Sequence, residues 1–199
     1  MSKKLLMNNY SKNGLTPVMG GLICWLDGRD GKPGDTVWID RSENKKEFTL
    51  TRAHFDNNSV NTNRSSILGN FLLPKEFTFS VYFEADVTRQ YQNIYDNSNT
   101  MLWIDSSFKV ECNASSKGDF LLKNEKNYIV STRGVDNTKV YQEAKLTTTH
   151  SQVGTSPTNV SLFSRWGGQG LSGKIYSILI YNRALTEEEI KQITYMNNL

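Results

Sequence analysis

Cysteine, proline and histidine are all scarce here. Of 199 residues, 2 are Cys, 4 are Pro and 2 are His. Two cysteines make no disulfide framework, and a chain of this length buries on the order of 70% of its unfolded surface, so a core can form without staples or a structural metal. Cys24 and Cys112 are accordingly read as buried thiols. With only His54 and His150, and without HxxxH, CxxC or GxSxG spacings, zinc and serine-nucleophile chemistry lack their residues. Long apolar runs are missing as well. The longest stretch lies within Ile175 to Tyr181 and is broken by Ser177, far from the ~18–20 apolar residues of a membrane-spanning helix. Behind Lys3-Lys4 stand only Leu5-Leu6-Met7, against the roughly 7–15 apolar residues of an export leader. A soluble chain without a secretory signal or membrane partner is expected.

Charge of one sign is also lacking. The 23 basic and 20 acidic residues leave a net charge of +3, and the basic residues are scattered singly or in pairs such as Lys45-Lys46. No basic stripe exists for nucleic acid, so no nucleic-acid partner is expected.

What is present is alternation of apolar and polar residues. It recurs in Phe48-Thr49-Leu50, Phe77 to Phe83, Met101 to Ile104, Phe108 to Cys112, Tyr128 to Thr132 and Lys174 to Tyr181. Polar clusters that suit turns lie between, at Asp27 to Gly31, Asn57 to Ser66, Asp96 to Asn99, Ser115 to Asp119 and Gly154 to Asn159. Period-2 runs at this spacing predict an all-β, two-sheet antiparallel β-sandwich. One segment breaks the pattern. Thr186-Glu187-Glu188-Glu189 is a capping box, followed at helical spacing by Ile190, Ile193 and Tyr195 or Met196, so a short C-terminal helix is predicted. Residues 1–20 show no periodicity and are read as an N-terminal arm, either an unstructured tail or an anchor for a partner, before a domain spanning 21–199.

The run from Gly173-Lys174-Ile175 through Tyr181-Asn182-Arg183-Ala184-Leu185-Thr186 to Ile190 resembles the closing signature of laminin-G-like, concanavalin A-like jelly rolls. Gly21 to Asp27 resembles the opening strand of that family, and Phe77 to Phe83 its central strand. Asp40-Arg41-Ser42-Glu43-Asn44 before Phe48 resembles its Asp-x-Ser-x-Asn turn. The middle departs, because Lys139 to Lys145 stands where many members carry Tyr-x-Asn-Gly. The resemblance implies a jelly roll that binds glycans or proteins, serves as a passive module or, less often, cleaves polysaccharides.

Several motifs bear on these choices. Gly168-Gln169-Gly170-Leu171-Ser172-Gly173 fits the dinucleotide pattern and nearly fits a phosphate loop, but a strand is expected behind it where phosphate needs a helix N-terminus. Glu84-Ala85-Asp86 is a fragment of the Glu-x-Asp-x-Glu arrangement of the fold's glucanases, with Thr88 where the next carboxylate would stand, so no catalytic residues and no enzyme are expected. Asp27, Asp30, Asp35 and Asp40 could hold calcium, although turn chemistry is the simpler reading, and no cofactor is assigned. Trp25, Trp38 and Trp103 stand in strand-like runs and are expected in the core.

Two clusters are candidate ligand-binding sites: Arg165, Trp166 and Gln169 in a glycine-rich loop, and Tyr91, Tyr95, Asp96, Asn97 and Asn99 in the turn-rich middle. Aromatic rings beside amides and carboxylates hold sugars, since the apolar sugar face stacks while hydroxyls find fixed partners. The 20 asparagines and many lysines suit an AT-rich genome, and the missing leader suits a phage particle assembled in bacterial cytoplasm. The expectation is a non-enzymatic module on a virion, in contact with other virion subunits, repeated by symmetry or as a homo-oligomer, with a cell-wall glycan of a bacterial host as target. A structural virion protein without a sugar site, and a polysaccharide-cleaving enzyme, are the alternatives.

Overall fold

The computed structural model describes residues 17–63, 70–96, 101–112, 121–123, 125–151, 157–163 and 169–197. Among the described residues fifteen strands and one helix follow one another: β1 (Leu22–Asp27), β2 (Val37–Ile39), β3 (Glu47–Thr49), β4 (Ala53–Phe55), β5 (Val60–Asn63), β6 (Asn70–Leu73), β7 (Phe77–Ala85), β8 (Gln92–Asp96), β9 (Met101–Ile104), β10 (Val110–Cys112), β11 (Lys126–Arg133), β12 (Thr138–Gln142), β13 (Lys145–His150), β14 (Thr158–Leu162), β15 (Ser172–Tyr181) and α1 (Glu187–Asn197). An eight-stranded antiparallel sheet runs β13-β12-β11-β7-β15-β5-β4, with β1 also on β15, and packs against a five-stranded sheet, β10-β9-β8-β14-β6. The expected two-sheet sandwich with a short C-terminal helix is what forms.

The alternation in β7 shows why. Phe77, Phe79, Val81 and Phe83 enter the core, while Thr78, Ser80, Tyr82 and Glu84 take the other face. From the five-stranded sheet Leu102, Ile104, Val110, Cys112, Val160 and Leu162 meet them. Period 2 therefore fixes which face is buried, since a one-residue slip would turn the whole hydrophobic set outward. Strand β15 is the spine. It pairs with β7 along one edge, and on the other with β5 over Ser172–Ile175 and with β1 over Ser177–Tyr181. A bulge between Ile175 and Ser177 lets both Ile175 and Ile178 face the core and sets Tyr176 on the outer face beside Tyr82. Gly173 permits the close approach: its φ is +137°, and a Cβ there would lie 2.0 Å from the Glu84 carbonyl oxygen.

A second apolar layer covers part of the outer face of the large sheet. Leu185, Ile190 and Ile193 of the closing segment pack on Trp25, Tyr128, Val130, Tyr141, Leu179 and Tyr181, and Val18 joins them. The capping box forms as read: the Glu189 N–H donates to Thr186 Oγ1 (3.3 Å), and the Thr186 N–H donates back to Glu189 Oε2 (2.9 Å). Arg183 extends this corner, donating to the Glu189 carboxylate (2.6 and 2.9 Å) and to the Gly20 carbonyl (2.9 Å). Residues 17–20 of the proposed arm are thus docked on the sandwich, whereas 1–16 lie outside the described residues.

The Asp-x-Ser-x-Asn turn also has a visible task. Asp40 Oδ1 accepts the N–H groups of Trp25 (2.8 Å) and Ser42 (2.7 Å), and Asn44 Nδ2 donates to the Ile23 carbonyl (2.7 Å), so the turn clasps β1. The departure in the middle is resolved by Glu143 and Ala144, which take φ of 49° and 62° and turn β12 into β13. Two consecutive left-handed residues make a type I′ hairpin, here without Asn or Gly. Both cysteines are buried and unpaired, and burial pushes the Cys112 thiol up to about 12, so it stays protonated. Among the described residues no helix is long and apolar enough to cross a membrane.

Candidate functional site on the five-stranded sheet

In the five-stranded sheet, Asn93, Trp103 and Glu111 are Cα partners across β8, β9 and β10, so their side chains share the face turned away from the core. The ring of Tyr91, in the turn before β8, stacks on the Trp103 indole with centroids 5.8 Å apart and planes inclined by 21°. Tyr91 is 40% exposed and holds a left-handed φ of 56°. A bulky side chain in that region is a genuine conformational outlier, of the kind that collects at ligand clamps. Trp103 is half-buried on this outer face, which corrects its expected place in the core. Trp38 is fully buried and Trp25 nearly so.

Beside the stack sits an amide with no protein partner. Asn93 is fully buried, yet neither Nδ2 nor Oδ1 makes a hydrogen bond. Its backbone N–H donates to the Gln169 carbonyl (2.8 Å), and Asn93 bridges Gly170 in parallel fashion. The two sequence clusters are therefore brought together in part: Gln169 runs beside β8, next to the residue that follows Tyr91-Gln92. Arg165, Trp166, Asn97 and Asn99 lie outside the described residues. Asp96 is half-buried at the end of β8, opposite Met101 and Ser161.

Tyr95 does not join the site. It is fully buried, its ring 4.9 Å from Phe79 and 6.0 Å from Phe77, and its hydroxyl lies 3.1 Å from Ser131 Oγ. The cause is a register shift between Asn93 and Tyr95, which turns Tyr95 inward with Leu102 and Cys112 while Asn93 faces out with Trp103. Asn93 and Trp103 are the residues the sequence reading missed. The alternation through Met101-Leu102-Trp103-Ile104 carried a signal for Trp103, since it puts the indole opposite Leu102 and Ile104.

Other candidates resolve differently. The four aspartates hold cations and backbone of the protein itself: Asp27 binds Arg29 (2.5 and 2.8 Å) and Arg41 (2.5 Å), Asp30 binds Arg41 (2.7 Å), Asp35 accepts the Lys32 N–H (2.7 Å), and Asp40 clasps β1. Burial raises the Asp27 pKa, but the Arg29 hydrogen bonds and the Arg41 charge outweigh it and leave it lowered. All four carboxylates are thus engaged in turn and ion-pair contacts. Among the described residues no group of three or more Asp, Glu, His or Cys converges on a point. Strand β15, not a helix, follows the glycine motif, as expected from the sequence. Asp86 is engaged in its own turn, accepting from the Thr88 N–H (2.9 Å) and Oγ1 (2.5 Å), and these bonds lower its pKa.

No protein-family model matches the sequence, and no curated protein matches it. Solved structures do match the fold. A Trypanosoma rangeli sialidase in complex with sialic acid superposes with a TM-score of 0.69 at 16% identity, over 98% of this chain and 37% of that one. Domain 4 of AbnA, a GH43 extracellular arabinanase from Geobacillus stearothermophilus, solved with arabinotriose, gives 0.67 at 13% identity over 89% of this chain and 100% of that one. The binding domain of Paraclostridial Mosquitocidal Protein 1 gives 0.61 at 15% identity over 87% and 52%. This chain thus spans 37% of the sialidase it matches. Identities this low define a class by fold alone: a two-sheet antiparallel β-sandwich.

Proposed function

We propose that the protein is a non-enzymatic carbohydrate-binding module, with its site on the outer face of the five-stranded sheet. The observation that carries this reading is the Tyr91–Trp103 stack beside the buried, unpartnered amide of Asn93. An aromatic face takes the apolar side of a sugar ring, and an amide with donor and acceptor both unused suits a pair of hydroxyls or an acetamido group. Leaving such an amide unmatched costs about 1–3 kcal/mol, which a bound polar ligand offsets. The AbnA domain, solved with arabinotriose, supports a carbohydrate ligand for a sandwich of this shape, and the mosquitocidal domain supports a binding role.

Catalysis is not part of the proposal. An Asp86 held ionised by its own turn is unsuited to protonating a leaving group. Among the described residues, the large exposed apolar side chains other than Tyr91, namely Met19, Ile39, Leu72, Leu121, Val135, Leu146 and Tyr195, stand on different elements, which favours binding over a passive packing role. The laminin-G-like resemblance and the setting on a phage particle, beside other virion subunits and facing a bacterial cell-wall glycan, belong to the same proposal. A glycan array that includes arabinotriose, sialosides and cell-wall fragments tests it, followed by Tyr91→Ala. Binding that the variant loses at unchanged melting temperature is the expected result; no bound glycan, or undiminished binding by Tyr91→Ala, overturns it.

A further inference from the structure

The opposite sheet carries a second constellation that the proposed site does not use. On the outer face of the eight-stranded sheet, beyond the part covered by α1, Tyr82 and Tyr176 lie with ring centroids 5.1 Å apart. Lys126 Nζ stands 4.6 Å from the Tyr176 centroid and 5.7 Å from that of Tyr82, and Tyr176 donates its hydroxyl to Glu84 Oε2 (3.1 Å). Register places Lys126, Glu84, Lys174, Asn61 and His54 as successive Cα partners across β11, β7, β15, β5 and β4, in one row on this face. At about 4.8 Å per strand the row is about 19 Å long, room for several sugar rings end to end.

Next to the row a cleft of about 370 Å³ opens, lined in part by Asn61, Glu84, Asp86, Arg89, Ser172 and Lys174. Its polar groups are mixed in sign, two carboxylates against two cations. Ser172 supplies the independent observation: the residue is 4% exposed, and its Oγ makes no hydrogen bond. A buried hydroxyl left unmatched beside a polar cleft calls for an explanation, and a ligand in the cleft supplies one.

We infer that this row and cleft form a second saccharide site that takes a linear oligosaccharide lying across the strands. A tyrosine pair offers a stacking surface, amides and mixed charges match hydroxyls without demanding net charge, and an open row admits a chain from the side. The site stands on its own residues, so it survives or fails separately from the Tyr91–Trp103 site. Together the two would make the domain bivalent, with glycan held on both outer faces, and bivalent attachment multiplies avidity without new contacts.

Two-dimensional NMR of the isotope-labelled full chain, titrated with arabinotriose and with N-acetylglucosamine oligomers of one to four units, tests the inference. Expected are shifts at Glu84, Lys174 and Tyr176 that persist in Tyr91→Ala, disappear in Tyr176→Ala, and tighten with oligomer length. Ser172→Ala should weaken this binding about fivefold while leaving the melting temperature unchanged or raised, because the hydroxyl supports nothing in the fold. Tyr176→Phe keeps the ring, and so serves as the check if Tyr176→Ala unfolds. Shifts at Tyr91 and Trp103 alone would overturn the second site and leave the first standing. Shifts at Glu84 and Lys174 alone would support the second and sink the first, and a silent spectrum with every probe would sink both. Affinity that does not grow with chain length would refute the row as the binding surface.

Discussion

Gln92 Oε1 accepts the backbone N–H of Ser172 at 2.8 Å, across a sequence separation of 80 residues. The same side chain donates through Nε2 to the carbonyls of Asp86 (2.9 Å) and Arg89 (2.7 Å). One buried amide therefore holds the turn that presents Arg89 to the cleft on the large sheet and Tyr91 to the stack on the small one. The two faces share a hinge pin.

Gln92→Leu removes these bonds and leaves the Ser172 N–H buried without an acceptor, at a cost of about 1–3 kcal/mol. For a chain of this size that lowers the melting temperature by a few to about 10 °C. Calorimetry measures the fall, and NMR should show Arg89 and Tyr91 displaced together. A variant in which only one of them moves would mean that the turn is not a single unit.

Much of this architecture was legible beforehand, for reasons that also explain the failures. Alternation in β7 declares the buried face because each residue's environment is decided by parity, and the capping box in Thr186–Glu189 is a local device that needs no tertiary information. Tyr95 failed for the same reason that Phe79 succeeded. Parity holds only until a bulge, and the register shift after Asn93 reverses it, so Tyr91 and Tyr95 part to opposite faces. The Lys126-to-His54 row was invisible because it joins five strands from positions 54 to 174, and only the pairing of the sheet aligns them.

The spine strand sets the next expectation. Ile178 is fully buried in the core between the sheets, whereas Tyr181 is fully buried in the separate layer beneath α1. Ile178→Asp places an unpaired charge between the sheets and should cost at least about 3 kcal/mol. Tyr181→Asp should loosen the helix first, so that α1 loses amide-exchange protection while the sandwich keeps its own. Equal global loss in both variants would show the two layers to be one cooperative unit.

Acid should act on that same corner. The Arg183 hydrogen bonds and those from Thr186 hold the Glu189 pKa at about 2, below its ordinary 4.5. A carboxylate with a lowered folded pKa stabilises the fold above its unfolded value and loses that contribution as pH falls through the folded one. The stability difference between the parent and Glu189→Gln should therefore be present at neutral pH and shrink between about pH 5 and pH 2. Because the pair is partly exposed, salt should shrink it too. A difference that stays constant with pH would show that the Arg183–Glu189 pair contributes no linked stability.

The hairpin between β12 and β13 offers a gain instead of a loss. Glu143 and Ala144 both hold left-handed φ values, and each such L-residue costs roughly 1–2 kcal/mol relative to a relaxed backbone. The two are not equivalent. Glu143 Oε1 accepts the Tyr128 N–H (2.9 Å), so its side chain ties the turn to β11, whereas Ala144 contributes only a methyl packed on the outer layer. Ala144→Gly relieves the strain, gives up that small contact and adds unfolded-state entropy, leaving a net stabilisation of about 0.5–1 kcal/mol. Glu143→Gly relieves the same strain but strands the Tyr128 N–H, and should be neutral or destabilising. Thermal melts of both variants decide the point: a rise of about 1–4 °C for Ala144→Gly alone is expected. No rise would mean that the turn is unstrained, and an equal rise for Glu143→Gly that the bond from Glu143 to Tyr128 is idle.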